Sequence, residues 1–319
     1  GPSQTPSITG SVDEVAIWDV PLTDAQISLL STGSARADSF TPPAASAGNW
    51  VTGKIGDYAL EFDGSSEVVN VASGSGLSTG QTPGASGGGG SESFTVSAWV
   101  YQDTWTTWDS IIARKNGTWY NGWGLTSDGG TTGKVCFWFG GFANTAGNKS
   151  YATISTGQWH HLVGTYDPSA GSNGQVQIWV DGVAQTAVDR WVNASAGPDT
   201  GQTEIGEFWD GKIDDMGCWD VVLDSGAIAA LYNSGTGSAA NSVSSSNLTS
   251  YWSFDSGGPG SSTLTDSSTL YTNNGALSGM SAGSPPPTLV SYYDMEDGFG
   301  TTLTDQTANG YDGTLSSPS

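Results

Sequence analysis

The chain repeats itself at long range, and that repetition limits which segments can complete a core on their own. Val12-Asp13-Glu14-Val15-Ala16-Ile17-Trp18-Asp19, then Leu22 and Ile27, returns 201 positions later as Ile213-Asp214-Asp215-Met216-Gly217-Cys218-Trp219-Asp220, then Leu223 and Ile228. A second echo lies toward the other end. Ser250-Tyr251-Trp252-Ser253-Phe254-Asp255 and Thr263-Leu264-Thr265-Asp266 resemble Ser291-Tyr292-Tyr293-Asp294-Met295-Glu296 and Thr302-Leu303-Thr304-Asp305. A repeat present only in part cannot bury its own apolar face, so these ends read as pieces of a tandem array around one full domain.

The 319 residues leave room for one domain of about 200 residues plus partial units, large enough to fold without metal or disulfide. Eight basic residues against 31 acidic ones give a net charge of -23, which repels phosphate backbones and argues against nucleic acid. No run approaches the ~20 apolar residues of a membrane span, so no membrane insertion is expected. Cys136 and Cys218 suit either one bridge or two core thiols; the repeat favours thiols, because Ile17 stands where Cys218 does.

Short alternating segments punctuated by 47 glycines and by Asn, Asp and Ser turns are the pattern of an antiparallel all-β sandwich. Strands are expected from Tyr58–Phe62 through Lys212–Asp220, with a tight hairpin at Asp181-Gly182. Helices are expected only at Thr23–Leu30 and Asp224–Tyr232, each after a repeated Trp-Asp. Strand parity places Asp214, Met216 and Cys218 on one inward face, so Asp214 needs a rim position with backbone N–H donors or a cation.

Five blocks carry a family resemblance: Tyr58-Ala59-Leu60-Glu61-Phe62-Asp63-Gly64, Phe94 to Val100, Gln158 to Asp167, Gln177 to Gly182, and Gly211 to Asp215. Together they resemble the LamG-like jelly-roll domains of the concanavalin A-like lectin/glucanase superfamily. The resemblance implies a sandwich of two curved antiparallel sheets, extracellular, often calcium-stabilised, and usually a recognition or adhesion module. The expected organisation is a C-terminal piece of a preceding repeat at 1–33, a linker at 34–49, the sandwich at 50–235 and a linker at 236–247. Opening-strand segments follow at 248–283 and 284–319. The family's opening strand is missing ahead of Tyr58, so 11–33, 248–256 and 289–296 are candidate complements, within the chain or from neighbours.

Laminarinase-like enzymes of the superfamily carry catalytic glutamates flanking an Asp on one strand. Here Gly64-Ser65-Ser66 turns the chain between Glu61 and Glu67, so the two cannot share a strand face at the ~5 to 5.5 Å that a retaining glycosidase needs. Asp63, Asp214 and Asp255 serve either as structural Ca²⁺ ligands or as turn caps. Adjacent His160 and His161 point to opposite faces and cannot chelate together. Trp99, Trp159, Trp179 and Trp219 read as core. Trp105, Trp108, Asp109, Trp119, Tyr120, Asn121 and Trp123, with Trp191 and Trp209 from neighbouring loops, combine ring faces with polar groups in the manner of sugar recognition. The alternative is that these rings close one end of the sandwich or anchor a neighbouring subunit.

The expected function is non-catalytic binding of glycans or cell-surface polysaccharide by a multivalent protein at an extracellular, cell or virion surface. Weak sites gain avidity when linked to neighbouring repeats or identical subunits. The alternative is a structural subunit of a filament, fibre or virion assembled by exchange of terminal strands, with a glycoside hydrolase as the third reading.

Overall fold

The structure is a computed structural model that describes residues 15–18, 27, 30–31, 48–71, 77, 93–105, 109–115, 122–128, 133–139, 149–170, 175–186, 201–283, 289–293, 302–307 and 309–314. The chain divides into two compact units, one spanning Ala47–Ser284 and the other combining Gly1–Ser46 with Pro285–Ser319.

The larger unit is a sandwich of two antiparallel sheets. The first runs Val183–Ala184, Gln175–Val180, Trp159–Asp167, Phe94–Gln102, Asp210–Trp219, Tyr58–Asp63, Trp50–Thr52. The second runs Thr263–Leu264, Gly275–Ser278, Val68–Val71, Gln202–Ile205, Ser110–Lys115, Gly122–Ser127, Lys134–Phe139, Lys149–Thr153. Alternate residues point between the sheets: Phe94, Val96, Ala98 and Val100 from one strand meet Leu125, Phe137 and Phe139 from the facing sheet. Phe94 lies 4.5 Å from Trp123 between ring centroids, and Phe139 stacks on Tyr166 at 3.9 Å. Gly164 permits this close approach, since a Cβ there would fall 2.2 Å from the Phe137 ring. The expected hairpin is present, with Asp181 and Gly182 at φ of 51° and 78°. Both cysteines are buried free thiols.

The strand Asp210–Trp219 departs from simple alternation. Its register against Phe94–Gln102 shifts between Asp214 and Gly217, where Asp215 adopts a φ of 42°. This bulge adds residues on one strand and switches its parity. Ile213, Met216 and Cys218 therefore all enter the core, while Asp214 faces the other way, paired with Trp99. The expectation of one shared face for Asp214, Met216 and Cys218 is corrected accordingly: uninterrupted period-two counting fails across a bulge.

The missing opening strand is Leu248–Trp252, which follows the closing strand in sequence and pairs with its second half. That half lies beyond the stretch paired with Tyr58–Asp63. The opening strand's continuation, Gly275–Ser278, joins Val68–Val71 in the second sheet. Residues 248–283, set apart in sequence, are thus integral to the sandwich. The stretch expected as a linker contains short helical turns, with Ala240 buried. Ser225–Tyr232 is the expected helix, capped by Asp224, whose side chain accepts from Ala227 N at 2.8 Å. It covers part of the first sheet's outer face, where Ile228 and Leu231 pack with Val163 and Trp219.

In the smaller unit Val15–Trp18 pairs antiparallel with Leu289–Tyr293, and Thr302–Leu303 pairs with Gly313–Thr314. Of the helix expected at Thr23–Leu30, only Ile27 and Leu30 are among the described residues.

Candidate functional site on the outer face of the first sheet

Residues that alternate with the core positions emerge on the outer face of the first sheet. Trp99 is covered there, stacked on Tyr232 at 5.9 Å with the Lys54 ammonium 4.8 Å from its ring. Two residues along the same strand, the face carries a polar and aromatic row. Trp159 pairs with Tyr101, Tyr101 with Lys212, and Lys212 with Glu61, so four adjacent strands place four half-buried side chains side by side.

The Tyr101 and Trp159 rings meet edge to face at 5.7 Å. Lys212 Nζ lies 4.4 Å from the Tyr101 ring centroid, 3.1 Å from Glu61 Oε1 and 3.5 Å from Asp103 Oδ2. Partial burial works against the ammonium charge, but the two carboxylates outweigh it and hold the Lys212 pKa above its ordinary value. Asp103 is placed by a backbone bond from its N–H to the Asp210 carbonyl at 2.9 Å, and the Thr104 hydroxyl donates to the Asp210 carboxylate. The arrangement offers ring surface, a cation and several acceptors on rigid strands, which is the chemistry needed to seat a polyhydroxylated molecule.

Sequence reasoning missed this row. Trp159 and Trp179, read as core, are half-buried, whereas Trp99 and Trp219 are buried. The available signal was parity: Tyr101, Glu61 and Lys212 each alternate with an apolar inward neighbour, whereas Trp159 stands between Gln158 and His160 and gives no such signal. Their juxtaposition required the strand order.

The sequence-predicted sugar residues separate. Trp123 and Trp209 have no exposed surface and belong to the core, so neither ring face can receive a ligand; that expectation is corrected because both are needed to fill the space between the sheets. Asp109 is buried as well, accepting from Gln102 Nε2 at 3.1 Å while its backbone N–H donates to Ser127 Oγ at 2.9 Å. Trp105 is half-buried and packs against the core cluster. Trp108, Trp119, Tyr120, Asn121 and Trp191 lie outside the described residues.

The calcium ligands that the resemblance implies do not fit a metal centre. Asp63 caps its own turn, accepting from Ser65 N at 2.9 Å and Ser66 N at 3.2 Å. Asp214 Oδ2 accepts from Lys54 N at 2.7 Å and Ile55 N at 2.8 Å, and its Oδ1 from Asp215 N at 2.7 Å. Asp255 Oδ1 accepts from Asp57 N at 2.7 Å and Tyr58 N at 2.9 Å. A hard cation needs several oxygens converging on one point, whereas these carboxylates face N–H donors, and no metal-holding group of three or more His, Cys, Asp or Glu occurs among the described residues. Instead, the single loop from Gly53 to Tyr58 grips one acid from the closing strand and one from the turn just beyond the opening strand.

Asp214 and Asp215 are buried, which raises their pKa values to about 8 and about 7 despite the bonds they accept, including one from the Tyr251 hydroxyl to Asp215 at 2.9 Å. His161 is buried beside Ser97 Oγ, 2.8 Å from its Nε2, and burial lowers its pKa to about 4 although Asp181 pulls it upward. His160 instead contacts the Asp181 carboxylate at 2.8 Å. Glu67 is separated from Glu61 by the turn at Gly64 and bonds to Asn49 Nδ2 at 2.7 Å.

Residues 72–229 match the family described as the concanavalin A-like lectin/glucanases superfamily, and the sandwich built around them is a domain of that superfamily. Among solved structures, domain 4 of AbnA, a GH43 extracellular arabinanase from Geobacillus stearothermophilus in complex with arabinotriose, is 19% identical. That match covers 56% of this chain and 78% of that one at a TM-score of 0.40. A Trypanosoma rangeli sialidase is 18% identical over 60% of this chain and 29% of its own, TM-score 0.38. The binding domain of Botulinum neurotoxin DC in complex with rat synaptotagmin II is 16% identical over 45% and 36%, TM-score 0.32. The chain therefore spans under a third of the sialidase's length. No curated protein matches it in sequence. No helix among the described residues is long and apolar enough to cross a membrane.

Proposed function

We propose that the sandwich is a non-catalytic carbohydrate-binding module acting outside the cell, and that it binds neutral glycans on the open end of the first sheet's outer face. The observation that carries this reading is the row of Trp159, Tyr101, Lys212 and Glu61 with Asp103 beside it. The rings provide a surface for sugar C–H groups, and the ion pairs provide fixed donors and acceptors for hydroxyls. Glu61, Asp103 and Asp210 outnumber Lys212, and the whole chain carries a net charge of -23, so anionic sugars are repelled. A binding role also suits Glu61 and Asp103, whose carboxylates are both engaged by the one Lys212 ammonium between them.

The test is a panel of neutral and sialylated oligosaccharides probed with the wild type, Trp159→Ala and Lys212→Ala. Loss of the ring contact is expected to cost about 1 kcal/mol, roughly a five-fold rise in Kd. A Kd left unchanged by both substitutions would refute this site. Turnover of a bound glycan, abolished by Glu61→Gln, would refute the non-catalytic reading.

A further inference from the structure

The two ends of the chain reproduce, residue for residue, a seam that the sandwich uses internally. In the sandwich, Met216 pairs with Trp252, Gly217 with Tyr251, Cys218 with Ser250 and Trp219 with Leu248, with the register slipping between Cys218 and Trp219. In the smaller unit, Val15 pairs with Tyr293, Ala16 with Tyr292, Ile17 with Ser291 and Trp18 with Leu289, with the slip between Ile17 and Trp18. These are the positions related by the two sequence echoes.

The likeness extends to side chains. Asp266 accepts from Tyr251 N at 2.9 Å, Ser268 N at 2.8 Å and Asn273 N at 2.8 Å. Asp305 accepts from Tyr292 N at 3.0 Å, Thr307 N at 3.0 Å and Tyr311 N at 2.9 Å. Each acid thus pins the later part of an opening strand to the turn that follows the acid. The hairpins downstream match too, Thr263 opposite Ala276 and Thr302 opposite Thr314.

What differs is what covers the seam. Met216, Cys218, Ile228 and Leu264 are fully buried in the sandwich, and Leu231 is nearly so. Their counterparts Val15, Leu30 and Leu303 are only half-buried, while Ile17 and Ile27 are each 51% exposed. In the sandwich that covering comes from the body strands: Phe94–Gln102 lies along the free edge of the closing strand, and Val163 of the next strand packs with Ile228 and Leu231. Among the described residues, the smaller unit's Val15–Trp18 belongs to a sheet of two strands.

We propose that this seam is the docking surface for a second jelly-roll body of the same superfamily, one that lacks its own closing strand. Its strand equivalent to Phe94–Gln102 would run along the edge of Val15 to Ile17, and its core would bury Val15, Ile17 and Leu303. The chain itself shows how such a body fits, because the interface is the internal one duplicated. The association is strand addition closed by apolar burial on both faces.

The test replaces residues 1–8 with a copy of residues 47–209, so that the copy's Trp209 is followed by Thr9 as it is ordinarily followed by Asp210. Hydrogen exchange at those amides of Val15 to Ile17 that face away from Leu289–Tyr293 is expected to slow by roughly tenfold or more. The added copy is expected to unfold cooperatively, and Ile17→Asp in the fusion is expected to abolish both effects. An added copy that stays unfolded while those amides exchange as in the parent chain would overturn the proposal. So would a parent chain that dimerises in light scattering and dissociates with Ile17→Asp, since a second copy would then be the occupant.

Discussion

Acid should weaken this sandwich through one buried imidazole. His161 sits at 1% exposure between Ser97, Trp99 and Tyr232, and burial lowers its pKa to about 4, against about 6.5 in an unfolded chain. A base depressed in this way binds fewer protons folded than unfolded. Its contribution is therefore complete above about pH 6.5 and is lost as pH falls toward 4. The gap of about 2.5 in pKa corresponds to roughly 3 kcal/mol, of which about 2 kcal/mol is gone by pH 5. His161→Gln keeps a polar group toward Ser97 and removes the titration. Urea unfolding of both proteins at pH 8 and pH 5 isolates the effect, because Asp214, Asp215 and all other groups respond alike in each. The wild type is expected to lose about 2 kcal/mol more than the variant over that interval. Equal losses would refute the assignment of a neutral, buried His161.

Asp214 and Asp215 act with the opposite sign: their folded pKa values are raised, so the stability they contribute is full below about pH 4 and declines as pH rises through 7 to 8. Urea midpoints should fall between pH 6 and 9 in the wild type and stay level in Asp214→Asn/Asp215→Asn. Gly164→Ala forces a Cβ into the Phe137 ring and is expected to destabilise by about 2–3 kcal/mol in the same assay. Asp255→Ala leaves the Asp57 and Tyr58 N–H groups without their carboxylate, so amide exchange should accelerate across residues 53–58 while the core strands keep their protection. Calcium or a chelator should leave Tm unchanged; a rise on adding calcium would contradict the capping roles of Asp63, Asp214 and Asp255.

The architecture was legible because alternation and turn chemistry are local. Phe94 to Tyr101 announces its two faces by composition, Asp181-Gly182 can turn where few pairs can, and Asp224 caps a helix three residues from Ala227. Other features were hidden for equally physical reasons. The bulge at Asp215 depends on a positive φ at a residue other than glycine, which no spacing rule signals, and it reversed the face of Asp214. Trp123 and Trp209 carry the same aromatic composition as a sugar platform, yet burial, decided by residues far away in sequence, removes them from consideration.

The sequence by itself determined the β-sandwich, its family likeness and the existence of two paired echoes, since these depend on periodicities of side chains along one strand. Only the tertiary structure decided that Leu248–Trp252 completes the sandwich from behind the closing strand. The same is true of the row of Trp159, Tyr101, Lys212 and Glu61, and of the register in which the two ends meet. Strand order and burial arise from contacts between residues separated by tens to hundreds of positions, and the free energy that selects them is shared among all the strands.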